Sequence, residues 1–142
     1  MRDRYHVGEE ETIYLFAGRV SPEKGVLEMT RAFRAVLPRL RHKSRLFIVG
    51  SASSGSDKES YYYRAVKKEA AQSPESIILT GYINHEDVAK YHVMADAQIV
   101  PSIMDDPAPL TVLEGMSMEF PFVVKSRRDS GIFCELQQQN IF

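Results

Sequence analysis

The sequence predicts an α/β fold in which helices cover both faces of a Rossmann-like, doubly wound and mostly parallel sheet. Two observations favour this class. Short apolar runs rich in β-branched residues recur along the chain, and segments with apolar residues at helical spacing separate them. Because right-handed crossovers join successive parallel strands, a βαβαβαβαβ order folds into one open sheet. We therefore expect residues 1–142 to form a single domain.

Five apolar runs are predicted as the strands. Each is short and carries Val, Ile or Thr, which suits a strand that is buried on both faces. The runs cover residues 12–16, 46–49, 77–80, 97–100 and 122–124.

Four helices are predicted between these strands. Each is expected where apolar residues repeat at spacings of three and four, so that one stripe faces the sheet. Pro38 is expected near the end of the first helix, and the fourth helix begins after Pro109. The stripes of the first three helices are Val26, Met29, Phe33, Val36, Leu37 and Leu40; then Tyr61, Tyr62, Ala65, Val66 and Ala70; then Val88, Tyr91, His92 and Met94.

The overall composition excludes several classes of protein. With 18 Lys plus Arg against 19 Asp plus Glu, the net charge of −1 argues against a surface that coats nucleic acid. A lone cysteine, Cys134, excludes a disulfide scaffold and a metal site built from cysteines. No apolar run approaches the ~18 residues that span a bilayer, and the start has no signal-peptide pattern. We expect a cytoplasmic protein.

One segment of the chain is strongly basic. Six Lys or Arg residues lie between Arg31 and Arg45 with no acid among them. They could contact anionic lipid headgroups, at the inner face of the membrane, or they could form an ordinary solvated helix face.

The turn after the first strand is the first candidate for ligand binding. It runs from Gly18 to Gly25 and enters a helix, and it carries Arg19 and Lys24. Ligands bind at the carboxyl edge of open α/β sheets, where a helix N-terminus and these two cations suit a diphosphate. The loop at 50–56 is expected at the same edge. The alternative is a proline turn with solvated charges.

A pair of acids after the fourth strand is the second candidate. Asp106 and Glu114 are eight residues apart, with a loop before the helix, so both carboxylates can face one pocket. Carboxylates accept hydrogen bonds from the vicinal hydroxyls of a ribose or hexose. The alternative for Asp106 is a helix N-cap before Pro107, whereas Glu114 lies in an otherwise small or apolar stretch.

Five segments together resemble the successive motifs of the retaining glycosyltransferases of family 4, which have the GT-B fold. They occur in the family's order and spacing, and the resemblance covers about residues 12–125. It corresponds to the C-terminal, nucleotide-sugar-binding half of such enzymes. The segments are 16–25, 48–50, 80–83, 100–102 and 106–116.

The resemblance implies a role for each candidate residue. Arg19 and Lys24 match the diphosphate-binding pair, on the turn that Gly18 opens. Glu114 matches the second acid of the E-x7-E motif, which binds ribose hydroxyls, and Asp106 stands at the first acid, which contacts the donor sugar. Together these four are the candidate catalytic residues. The nucleobase would be bordered by Gly81, Tyr82 and Ile83, and the sugar and phosphate by the backbone from Ala108 to Leu110.

The sequence also departs from the family pattern. Pro109 stands where Gly is common and has no N–H to donate, Asp106 is one methylene shorter than the usual Glu, and Glu119 replaces a common Gly. The segment 127–131 is longer than the usual glycine pair, so Glu135 is not matched to a position of the family pattern. On this resemblance the chain is expected to be a fragment, without the N-terminal acceptor domain and the final C-terminal helices.

The resemblance implies a donor-binding domain that moves a hexose from a nucleoside diphosphate sugar to a saccharide or lipid-linked acceptor, in cell-surface polysaccharide or glycolipid synthesis. A UDP- or GDP-sugar is the donor, and neither a further cofactor nor a metal is expected. The four histidines are too scattered to ligate one ion, and Cys134 has no nearby histidine to activate it. The alternatives are a nucleotide-sugar epimerase of the same architecture and a non-catalytic nucleotide-binding module.

Overall fold

The structure is a computed structural model that describes residues 1–52 and 60–103, together with the backbone of a strand at 122–124. In chain order the strands and helices are β1 (Thr12–Ala17), α1 (Val26–Val36), β2 (Ser44–Val49), α2 (Tyr61–Ala70), β3 (Ile77–Gly81), α3 (His85–Met94), β4 (Ala97–Val100) and β5 (Phe122–Val124). Short 3-10 turns lie at Asp3–Tyr5, Pro22–Lys24 and Leu37–Arg39.

The five strands form one parallel sheet in the order β3-β2-β1-β4-β5. The central strand β1 pairs with β2 along its whole length, from Thr12 opposite Ser44 to Ala17 opposite Val49. All the predicted strands are present, and the doubly wound, mostly parallel sheet is confirmed. The fourth predicted helix lies outside the described residues.

Successive strand residues point to opposite faces of the sheet, so each face carries apolar side chains. Helices pack against both faces. On one face Phe16 and Ile48 pack with residues of α1 and α2, including Phe33 and Val66. On the other face the packing partners are α3 and the N-terminal segment. The buried residues of that second cluster include Leu15, Phe47, Tyr91 and Met94, with Tyr5 packed against them.

Helix α1 ends earlier than its apolar stripe suggests. Val26, Met29 and Phe33 are buried as predicted, but Val36 is 41% exposed. The helix stops at Val36 because Pro38 follows two residues later, and the chain turns into a 3-10 conformation. The prediction that Val36 faces the sheet was therefore wrong.

The buried face of helix α2 also differs from the prediction at its first residue. The Ser60 hydroxyl accepts a hydrogen bond from the Tyr63 N–H and caps the helix. In that register Tyr63 and Val66 are buried, whereas Tyr61 is 84% exposed at the first helical position. The placement of Tyr61 on the buried stripe was wrong.

Two cations of the basic segment form ion pairs at the amino-terminal edge of the sheet. Both Lys43 and Arg45 bind Glu11, at 2.9 and 2.7 Å. Burial opposes ionisation of Glu11, but the Lys43 hydrogen bond, the Gly8 N–H and the charge of Arg45 outweigh it and lower its pKa.

The two arginines of the basic segment that lie on α1 form ion pairs with Glu69, a largely buried residue of α2. Arg34 binds it at 2.6 Å and Arg31 at 3.5 Å. Arg39 and Arg41 are exposed and form no ion pair within the described part of the chain. None of the helices described here is long and apolar enough to cross a membrane.

Candidate functional site

The candidate site lies at the carboxyl edge of the sheet, between β1 and β4. The strand order reverses at this point, since β2 and β3 lie on one side of β1 while β4 and β5 lie on the other. Ligands of other open α/β sheets bind at the carboxyl edge beside such a reversal of strand order.

The turn after β1 is tied to the neighbouring strands by backbone hydrogen bonds. Gly18 N–H donates to Val49 O at 3.0 Å, and Val20 N–H donates to Ser51 O at 3.0 Å. On the other side of the turn, Ile103 N–H donates to Glu23 O at 2.9 Å. The turn is thereby held between the loop after β2 and the loop after β4.

Two close backbone approaches require glycine in this arrangement. Gly50 has φ +140°, and a Cβ there would lie 1.9 Å from Gly18 O. Gly25 has φ +64°, and a Cβ there would lie 2.4 Å from Pro101 O. Both contacts are shorter than any real Cβ contact, so the turn can dock on its two neighbours only through glycines.

A small pocket of about 40 Å³ opens between the carboxyl ends of β1 and β4. Its described lining includes Lys24, which is half-buried. Lys24 and the backbone of Gly18 therefore face the same space, as the phosphate-binding prediction requires. The lining residues are Phe16, Ala17, Gly18, Lys24, Ile99, Val100 and Ser102.

Arg19 lies apart from this lining and forms an ion pair. Its Nη2 is 2.9 Å from Oε1 of Glu23, and its side chain is 63% exposed against 31% for Glu23. The neighbouring Ser21 hydroxyl and the Glu23 N–H lower the pKa of Glu23, and Arg19 adds to the effect. Glu23 is therefore an anion throughout the neutral range, within reach of a predicted phosphate ligand.

The N-terminus of α1 is less open than the sequence suggests. The Leu27 N–H donates to the Tyr62 hydroxyl of α2 at 2.9 Å, and that hydroxyl donates to Glu28 Oε2 at 3.4 Å. The Leu27 N–H is therefore already engaged within the protein. Burial and the nearby Glu28 raise the pKa of Tyr62, although the Leu27 N–H acts in the opposite direction.

The residues predicted to border a nucleobase lie at the end of β3, at the same edge of the sheet. Gly81 O accepts a hydrogen bond from Gly50 N–H at 3.1 Å, which connects this strand end to the residue that follows β2. Tyr82 is 57% exposed, whereas Ile83 is partly buried and packs against the core on the α3 face. The position of Tyr82 is compatible with stacking on a base, and Ile83 also has a structural role.

The second half of the predicted site lies outside the described residues. This applies to both acids, Asp106 and Glu114, and to the backbone predicted to approach the sugar at Ala108 and Leu110. It also applies to the departures from the family pattern at 109, 119 and 127–131. Their roles stay predictions.

The histidines and acids of the described ranges form no group of three or more that could hold a metal ion. His85 begins α3, and His92 is buried two turns further along the same helix. Cys134 lies outside the described residues.

Sequence reasoning overlooked three contributors to this site. Glu23 is four residues after Arg19, a spacing that could have indicated an ion pair. The contact of Gly50 with Gly18, and that of Tyr62 with the start of α1, join segments far apart in the chain and have no local signal.

Comparison with known proteins supplies the family. The sequence profile described as "Glycosyl transferases group 1" matches residues 1–136. A lipopolysaccharide 1,2-N-acetylglucosaminetransferase from Salmonella typhimurium is 29% identical over 118 residues, which cover 82% of this chain and 31% of the relative. The chain spans less than a third of the length of each of the three curated relatives it matches.

Solved structures have the same fold. HepE from Anabaena, in complex with UDP, superposes with a TM-score of 0.70 at 18% identity, over 87% of this chain and 32% of HepE. A further HepE structure contains UDP-glucose. The C-terminal domain of a glycosyl transferase group 1 family protein (LpcC) from Francisella tularensis superposes with a TM-score of 0.65 at 18% identity, over 82% of this chain and 58% of that domain.

Proposed function

The chain belongs to the glycosyl transferases group 1 family, and from this membership we propose that residues 1–142 bind the nucleoside diphosphate sugar donor of a glycosyltransferase. We also propose the finer assignment that the resemblance implies, a retaining enzyme of family 4. The likeness to the C-terminal domain of the Francisella protein supports the corresponding position of this chain in a GT-B enzyme.

One observation carries the proposal. At the topological switch point, the turn that bears Arg19 and Lys24 is locked between two loops, and Lys24 lines the pocket there with Gly18 and Ser102. A lysine on a hydrogen-bonded turn at this edge suits a phosphate, because fixed positive charge binds phosphate and ligands of open α/β sheets bind at this edge.

The chemistry assigned to these residues is mainly electrostatic. When the bond between the sugar and the diphosphate breaks, negative charge develops on the departing diphosphate. Fixed cations next to that charge stabilise the transition state, and they need no reorganisation as the charge forms. We assign this role to Lys24 and Arg19, and on this account no metal ion is needed.

The remaining contacts of the donor are proposed from the resemblance. Glu114 would accept hydrogen bonds from the ribose hydroxyls, Asp106 would contact the sugar, and the exposed ring of Tyr82 would border the base. UDP is the first nucleotide to test, because the related fold of HepE binds it; a GDP-sugar is the other donor considered.

The acceptor is proposed to be a saccharide or a lipid-linked saccharide, and the process to be cell-surface polysaccharide or glycolipid synthesis. The Salmonella relative, whose name states a lipopolysaccharide product, supports this choice. We propose that the acceptor is bound mainly outside residues 1–142, at the inner face of the membrane. Contact of Arg39 and Arg41 with anionic lipid is part of this proposal.

Saturation-transfer NMR with UDP-, GDP- and ADP-sugars tests the function. We expect saturation to pass from the protein to the nucleotide and sugar protons of one donor, which should bind weakly. Binding of the free nucleotides with no contribution from any sugar would favour the non-catalytic module instead. Conversion of a bound sugar to its epimer, followed by NMR in the same samples, would favour the epimerase.

A further inference from the structure

The ion pair between Arg19 and Glu23 places an anion in direct competition with the phosphate ligand. We propose that Glu23 is a specificity-determining residue of the diphosphate site: its carboxylate holds Arg19 in the unliganded turn, and a diphosphate must displace it from the guanidinium. This inference rests on the proposed function, since it assumes that Arg19 contacts the distal phosphate.

The geometry indicates which partner moves. Glu23 is anchored through its backbone, because Glu23 O accepts the Ile103 N–H at 2.9 Å and the turn around it is closed by Lys24 N–H to Ser21 O at 3.1 Å. Arg19 has a longer side chain that is 63% exposed. Arg19 can therefore swing to a ligand while the Glu23 backbone stays in place.

The surroundings of Glu23 allow it to remain an anion after Arg19 leaves. The Ser21 hydroxyl and its own backbone N–H are the first two causes of its lowered pKa, and neither depends on Arg19. A displaced Glu23 therefore takes up no proton near neutral pH. It continues to compete for Arg19, and a bound diphosphate is easier to release.

This competition should affect the affinity for a diphosphate and leave the affinity for a monophosphate unchanged. A diphosphate that engages Arg19 has to break the ion pair, whereas a nucleoside monophosphate that does not reach Arg19 leaves it intact. Because an exposed ion pair changes an equilibrium by at most about fivefold, the expected effect of removing Glu23 is on the order of threefold.

The test is titration calorimetry at low ionic strength with inorganic pyrophosphate, UDP and UMP as probes. We expect Glu23→Gln to bind pyrophosphate and UDP about threefold more tightly than the unmodified chain, with UMP affinity unchanged. In an Arg19→Ala background most of this gain should be lost, and only the weaker direct repulsion between the Glu23 carboxylate and the ligand should remain. Glu75→Gln is the matched control, since it removes one exposed carboxylate just before β3, at the opposite edge of the sheet.

Equal or weaker binding of pyrophosphate by Glu23→Gln overturns the proposal, and so does a gain of the same size in the Arg19→Ala background. A gain for pyrophosphate with no binding of any nucleoside diphosphate supports the role of Glu23 but overturns the proposed function. If neither pyrophosphate nor UDP binds any form of the chain, the role of Glu23 and the proposed function are both overturned.

A second measurement does not depend on the variant. The Glu23 carboxyl carbon, observed by NMR in the unmodified chain, should titrate at higher pH when pyrophosphate is present, because Arg19 has left and a second anion has arrived. If the titration curve of Glu23 is the same with and without saturating pyrophosphate, the ion pair between Arg19 and Glu23 stays intact and the proposal is overturned.

Discussion

Substitution of Gly50 tests how the turn after β1 is docked on the sheet. In Gly50→Ala the new Cβ would lie 1.9 Å from Gly18 O, and the backbone would have to keep φ +140°. A residue held in such a region costs about 1–3 kcal/mol. To reach an ordinary contact distance, the Gly18 carbonyl must also move by roughly 1 Å or more.

That movement disrupts two backbone hydrogen bonds of the turn, Gly18 N–H to Val49 O and Val20 N–H to Ser51 O, both 3.0 Å long. Each is worth about 0.5–1.5 kcal/mol. The free energy of unfolding should therefore fall by about 2–6 kcal/mol. The affinity for UDP should fall as well, because Lys24 is carried on the displaced turn.

Gly81→Ala is the matched control. Gly81 has φ +72°, but a Cβ there meets nothing within 4 Å. Only backbone strain remains, which costs about 1–2 kcal/mol. Urea unfolding measures both variants on the same scale. If the two substitutions lower the free energy of unfolding equally, the close approach of Gly50 to Gly18 is not a real constraint and the reasoning fails.

Three further predictions concern single side chains. Lys24→Ala removes a charge-assisted hydrogen bond of about 1.5–3 kcal/mol, so calorimetry should show UDP affinity falling about tenfold or more and UMP affinity falling less; equal UDP affinity would contradict the phosphate role. Glu114→Gln should weaken nucleotide binding and remove the preference for ribose over 2′,3′-dideoxyribose, and a preference that survives would make Glu114 structural. Burial first, then the 2.8 Å hydrogen bond with Tyr5, raise the pKa of Tyr91 to about 12. The folded state therefore holds this proton more tightly than the unfolded state, and the free energy of unfolding should decrease as pH rises from about 10 towards 12. Tyr91→Phe should flatten that decrease in pH-dependent urea unfolding, and an unchanged slope would assign the alkaline loss to other groups.

Much of the fold could be predicted because its signals are local. The apolar runs became strands with nearly the predicted bounds, since a strand buried on both faces needs apolar residues without interruption. The two wrong predictions of a buried residue lie at helix ends, the last residue of α1 and the first residue of α2. The Ser60 cap sets the register that turns Tyr61 to solvent, and Val36 is exposed at the last position of α1, two residues before Pro38.

By itself, the sequence determined the class of fold, the family motifs and the edge where Arg19 and Lys24 lie, because all three follow from residue order and chain direction. Only the tertiary structure decided how these residues are engaged. Lys24 lines the pocket, Arg19 is held by Glu23, Gly18 touches Gly50, and Leu27 is capped by Tyr62. Most of these contacts join segments tens of residues apart, and such distances depend on how strands and loops pack in space, which no local pattern encodes.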